Sequence, residues 1–144
     1  MPIIPYLYYE DVDSTLAWLA KAFGFKRYGI RIKGADGKTD HAAMRIADGV
    51  FMMGRPPAAL KYKNPRRVGQ TTQSLCVDVG DVDRHFARAR TAGARILEEP
   101  NDTEFGQRRY RAKDPEGHEW CFTQDIKARA GKVRKWTERP RKRR

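Results

Sequence analysis

The sequence predicts an α+β chain built from two βαβββ modules. Three observations predict it: an internal repeat, a matching hairpin in each copy, and a proline-bearing connection between the copies. YYEDVDSTLAWLAKAFGF, from Tyr8, and DVGDVDRHFARARTAGARI, from Asp78, each read as a strand, an Asp-Val-Asp triplet and a helix ending near glycine.

The elements follow in order. In the opening strand Ile4, Tyr6 and Tyr8 share a face, because side chains alternate along extended backbone. Leu16, Leu19, Ala20 and Phe23 then recur with helical spacing; Asp13 is expected to cap that helix and Gly24 to end it. RIKGADGKTDH turns at Asp36-Gly37, and His41 to Met53 forms a hairpin at Ala47-Asp48-Gly49. Residues 55–71 have two proline sites and no period, so they are expected to link modules spanning about 3–54 and 72–125. The second copy repeats the plan. A strand through Ser74 and Cys76 leads to a helix capped by Asp83, with Phe86, Ala89 and Ala92 inward and Gly93 at its end. A hairpin from Arg108 to Thr123 turns at Asp114-Pro115-Glu116-Gly117. Trp18, Trp120 and Phe122 are expected in the core, and His85 on a helix surface with no special role.

With 144 residues, 40% of them hydrophobic, the chain suits one domain over 1–126. No stretch approaches a membrane span and nothing reads as an export signal, so a cytoplasmic protein is expected. Cys76 and Cys121 then read as reduced thiols. The net charge of +12 is uneven: residues 127–144 hold ten Lys or Arg against Glu138 alone, which is +9. That segment is expected to be a disordered basic tail, either solubilising or able to bind nucleic acid or another polyanion.

DPEGHEWCF, residues 114–122, crowds His118, Glu119 and Cys121 together, all of them metal-binding residue types. Strand alternation separates them: Glu119 and Cys121 share one face, Trp120 and Phe122 the other, and His118 stays at the turn. The three therefore do not converge on one ion, Glu119 and Cys121 would need partners from elsewhere in the chain, and no cofactor is expected. No nucleophile elbow, phosphate loop or dinucleotide fingerprint occurs, which leaves acyl, phosphoryl and hydride transfer without support.

Taken in order, EDVDSTLAWLAKAFGF, HAAMRIADGVFMMG, SLCVDVGDVDRHFARARTAGARI and FGQRRYRAKDPEGHEWCF resemble the vicinal-oxygen-chelate superfamily, which includes glyoxalase I, bleomycin-resistance proteins and extradiol dioxygenases. The resemblance covers about residues 3–125. It implies paired modules that curl into a cavity-enclosing sheet, commonly completed in a homodimer, and in metal-dependent members His, Gln or Glu ligands from four strands. At those four positions this chain has Ile4, Met52 or Met53, Ser74 and Cys121, which are poor ligands for hard or borderline divalent ions. A homodimer is expected on physical grounds too, since open sheets leave edges and apolar surface for a second copy to cover.

Strand parity then gives a candidate cavity. Ile4 brings Tyr6 and Tyr8 with it, Ser74 brings Cys76, and Cys121 brings Glu119. The tyrosines and the Met pair either line the cavity or fill the core, and His41 and Arg45 share a face that is either cavity or solvated strand. Arg108 and Arg109 lie on opposite faces, so one of them, with Arg108 taken as the candidate, is expected to reach a ligand anion. The leading expectation is a metal-free binding protein of the bleomycin-resistance kind that sequesters or senses a planar or aromatic small organic molecule. The alternatives are a lyase, isomerase or dioxygenase with displaced metal ligands, and a polyanion-binding protein acting through 127–144.

Overall fold

The computed structural model describes residues 1–126, and in it each repeat forms a four-stranded sheet with one helix against it. The first contains β1 (Tyr6–Tyr8), α1 (Val12–Phe23), β2 (Lys26–Lys33), β3 (Thr39–Ile46) and β4 (Gly49–Gly54), in the strand order β1-β4-β3-β2. After α2 (Pro65–Val68) the second contains β5 (Ser74–Asp78), α3 (Val82–Thr91), β6 (Arg95–Asp102), β7 (Gln107–Lys113) and β8 (Glu119–Asp125), in the order β5-β8-β7-β6. Each opening strand pairs in parallel with the last strand of its module, and the remaining pairs are antiparallel hairpins. The basic segment 127–144, with its expected disorder and its role toward polyanions, lies outside the described residues.

Both helices begin one Asp earlier than the sequence implies. Asp11 and Asp81 are the N-caps; each accepts a 3.1 Å hydrogen bond from the amide three residues on, Ser14 or Arg84. An N-cap must stand outside helical φ/ψ to aim its side chain at those free amides, whereas Asp13 and Asp83 are already in the first turn. The second Asp of each triplet ties helix to sheet instead. Asp13 accepts from the Thr39 hydroxyl at 2.6 Å and amide at 3.0 Å, and Asp83 accepts from the Arg108 guanidinium. Gly24 ends α1 in the left-handed conformation, φ 72°.

One core runs through both modules. Leu16, Leu19 and Phe23 of α1 are buried against the first sheet, and α1 packs on α3. Trp120 of β8 sits 5.1 Å from Phe25 and 5.2 Å from Phe51, ring to ring, while Phe23 lies 4.7 Å from Phe122. Trp18 is half-buried beside Phe23. His85, expected on a free surface, joins the two helices: its Nε2 donates to the Phe23 carbonyl at 2.9 Å, so Nδ1 of the neutral ring accepts from the Tyr110 hydroxyl. Burial lowers its pKa, and the Arg88 charge adds to the effect.

The connection 55–71 is structured, not a bare link. Asn64 is buried, caps α2 by accepting from the Arg67 amide, and donates to Glu116 in the turn before β8. Glu116 also accepts from the Glu10 amide at 2.6 Å, the Asp11 amide at 3.1 Å and the Thr15 hydroxyl. A buried carboxylate is tolerated when donors surround it, and here those donors come from residues 10–15 and from Asn64, far apart in sequence.

Candidate functional site

Each sheet turns one face to its helix, and the chemistry of the opposite faces differs sharply. On the first, the side chains pointing away from α1 are Ile4 and Tyr6 from the opening segment, Tyr28, Ile30 and Ile32 from β2, His41, Ala43 and Arg45 from β3, and Val50 and Met52 from β4. Ile30 is 78% exposed and Ile32 is 53% exposed. These residues, Arg45 and Tyr6 excepted, line an apolar groove of about 630 Å³ that no residue of the second sheet enters.

An aromatic ladder continues from the groove along the β1 edge. The Tyr6 hydroxyl lies 3.0 Å from His41 Nδ1, Tyr6 and Tyr8 rings are 5.1 Å apart, and Tyr8 stacks on Tyr62 at 4.5 Å. Burial raises the Tyr6 pKa, with Tyr8 and Asp40 adding to it, so the phenol stays protonated and available as a donor. Gly54 makes this placement possible, because a Cβ there would collide with the Tyr6 hydroxyl and the Asp40 carbonyl. Arg45 lies with its guanidinium carbon 5.6 Å from the Tyr28 ring centre, a cation–π contact on an exposed strand.

The opposite face of the second sheet is polar. Ser74 and Cys76 of β5, Glu119, Cys121 and Thr123 of β8, and Arg109, Arg111 and Lys113 of β7 share it in register. Glu98 of β6 bridges Arg109 at 3.3 Å and Arg111 at 3.5 Å, and Lys113 approaches Glu119 at 3.8 Å. The Glu98 carboxyl is held below its usual range, first by the Asn101 amide and then by Arg109.

Two residues expected in the cavity are elsewhere. Arg108 points to the helix side, where it bridges Asp83 at 3.0 Å and Asp102 at 2.8 Å; Arg109 occupies the opposite face. Both arginines had the same composition cues, and only the register with β8 separates them. Met53 is fully buried in the core beneath α1, leaving Met52 in the groove. The repeat explains why: Tyr6 pairs with Met52 in the first sheet as Cys76 pairs with Cys121 in the second. Ile4, Tyr6, Tyr8, His41, Arg45 and Met52 thus gather on the first sheet, and Ser74, Cys76, Glu119 and Cys121 on the second. Tyr28, Ile30, Ile32 and Tyr62 were missed, although the alternation in KRYGIRIK carried the signal for the first three.

The positions that the resemblance assigns to metal ligands present a hydrocarbon, a thioether, a hydroxyl and a thiol at Ile4, Met52, Ser74 and Cys121. That donor set does not fit a hard or borderline divalent cation, which takes imidazole and carboxylate. Among the described residues no three His, Cys, Asp or Glu side chains group as a metal site, so His118, Glu119 and Cys121 do not converge. His118 instead donates from Nε2 to the Tyr8 carbonyl at 2.8 Å. No helix among the described residues is long and apolar enough to cross a membrane.

The model of the Glyoxalase/Bleomycin resistance protein/Dioxygenase superfamily matches residues 4–122. An uncharacterized protein of Mycobacterium bovis is 33% identical over 126 residues, covering 85% of this chain and 82% of its own length. The crystal structure of TioX from a Micromonospora species superposes with a TM-score of 0.71 at 34% identity, over 88% of this chain and 99% of TioX. A bleomycin-binding protein solved with bleomycin superposes with a TM-score of 0.62 at 20% identity, over 87% of this chain and 98% of that one.

Proposed function

Because the chain belongs to the Glyoxalase/Bleomycin resistance protein/Dioxygenase superfamily, we propose that it binds a small organic ligand carrying both an aromatic surface and an anionic group, without a metal. The observation that carries this reading is the contrast between the two outer faces: one offers an apolar groove with Tyr28, Ile32 and Met52, the other Arg109 and Arg111 beside Glu98. Aromatic rings pack against Tyr and Met, and a guanidinium fork pairs with a carboxylate or phosphate. A solved relative of this fold holds bleomycin, itself a small organic molecule, which supports a ligand role. Sequestration or sensing follows from binding alone and needs no turnover.

The groove is lined by the first module and the segment leading into it, with no residue of the second sheet, so a second copy is the proposed means of closing it. A homodimer would place the polar face of one chain over the apolar face of its partner, and equilibrium sedimentation at micromolar concentration tests this. A thermal-shift screen of aromatic acids, combined with elemental analysis of protein purified without chelator, tests the ligand class. A true ligand raises Tm by mass action. One tight equivalent of divalent metal would favour a lyase or dioxygenase instead.

The charge of residues 127–144 favours a second, separate activity, binding of nucleic acid or another polyanion. Its test is salt-dependent retention on heparin by the full chain that a 1–126 truncation loses.

A further inference from the structure

Beside the β1 edge lies a second pocket, of about 470 Å³, between Tyr6–Tyr8 and the connecting segment. It shares no lining residue with the apolar groove. Within it Tyr8 stacks on Tyr62, with ring centres 4.5 Å apart and planes 17° from parallel, so one face of Tyr62 is covered. Tyr62 is nonetheless 52% exposed, which leaves its other face open to take one more ring. Lys61 and Lys63 flank Tyr62 in sequence and line the same pocket, and among the described residues no Asp or Glu lines it. From this geometry we infer that the pocket is a nucleotide site, with a nucleobase stacked on the open face of Tyr62 and its phosphate against Lys61 and Lys63.

Two features select a nucleotide over a simple aromatic acid. Two ammonium groups suit a phosphate monoester, whose charge approaches about −2 at neutral pH, better than a single carboxylate. Gln70 and Gln73 also line the pocket, and their side-chain amides carry both donor and acceptor, the pairing that a base edge uses and a plain ring cannot. The segment that carries Tyr62 is fixed at both ends. The Leu60 amide donates to the Pro57 carbonyl at 3.0 Å, and the buried Asn64 donates to Glu116. A stack assembled before binding spares the ligand the entropy of ordering it. This inference does not rest on the ligand proposed for the groove, whose residues lie outside this pocket. A free nucleotide and one unit of a single-stranded nucleic acid present the same chemistry, a base joined to a phosphate.

Isothermal titration of the full-length protein with AMP, adenosine, ribose 5-phosphate and phenyl phosphate separates the contributions. AMP is expected to bind more tightly than the other three. Tyr62→Ala, at an exposed position, should lower AMP affinity by about 10-fold or more, the scale of one base–aromatic stack, while Tyr62→Phe keeps it. Lys61→Gln combined with Lys63→Gln should bring AMP down to the level of adenosine. An oligoadenylate that binds more tightly than AMP and weakens with Tyr62→Ala identifies a single strand as the source, and one indifferent to Tyr62→Ala identifies the free nucleotide. Heparin has charge and no base, so its retention should be the same for wild type and Tyr62→Ala. Absence of saturable AMP binding, or AMP affinity unchanged by Tyr62→Ala, would overturn the site. Adenosine equal to AMP would overturn the role of the lysines, and phenyl phosphate equal to AMP would overturn the nucleotide class.

Discussion

The Tyr9 hydroxyl donates a 2.6 Å hydrogen bond to Asp114 Oδ2, joining the end of β1 to the turn before β8 across 105 residues. Both side chains are buried, and the same carboxylate oxygen accepts from the Trp120 indole at 3.0 Å. Burial pushes the Asp114 carboxyl up, while Tyr9, Trp120 and His118 oppose that shift. Removing the hydroxyl leaves part of a buried charge without its donor. Tyr9→Phe is therefore expected to cost about 2 kcal/mol in urea unfolding, the usual scale for a hydrogen bond to a charged group.

Adjacent methionines should separate stability from binding. Met53→Ala empties a fully buried core position and is expected to cost about 2–5 kcal/mol. Met52→Ala lies in the groove and should change stability by less than about 1 kcal/mol. Any ligand found by thermal shift should lose affinity with Met52→Ala, and a ligand indifferent to it does not use the groove.

Adjacent arginines give the same test on the second sheet. Arg108 bridges the partly exposed Asp83 and Asp102, so Arg108→Ala should cost no more than about 1 kcal/mol and leave ligand affinity unchanged. Arg109→Ala should weaken an anionic ligand while sparing its uncharged analogue. Titration of both variants with the two compounds checks the assignment.

His85 predicts a specific pH dependence. Its folded pKa lies below the ordinary 6.5, so above 6.5 the neutral ring is present in both states and its full contribution is felt. As pH falls through the folded value the unfolded chain takes up the proton more readily, and stability declines. His85→Gln should flatten the stability profile between that lowered value and about 6.5. Unfolding curves from pH 5 to 8 on both proteins read this directly.

Restoring metal-binding chemistry tests the four positions that the resemblance assigns to metal ligands. Ile4→His, Met52→Glu, Ser74→His and Cys121→Glu together should create measurable Ni or Zn affinity, because three or four convergent ligands suffice. A folded variant with no gain by isothermal titration would show that these positions do not meet around one ion, even in an assembled protein.

The sequence by itself determined the two modules, their helices and hairpins, and the parity that groups Tyr6 with Tyr8 and Cys121 with Glu119. These are local consequences of periodicity, turn chemistry and repetition, and each is written within about twenty residues. Tertiary structure decided what local rules leave degenerate. Which of Met52 and Met53, or Arg108 and Arg109, turns outward depends on cross-strand register, and a one-residue slip reverses every face. Which Asp caps each helix depends on where helical φ/ψ begins, and the partners of His85 and Glu116 lie far away in sequence. The Cys76–Cys121 pairing likewise joins residues from opposite ends of the second module, because β5 and β8 become neighbours only when the sheet closes.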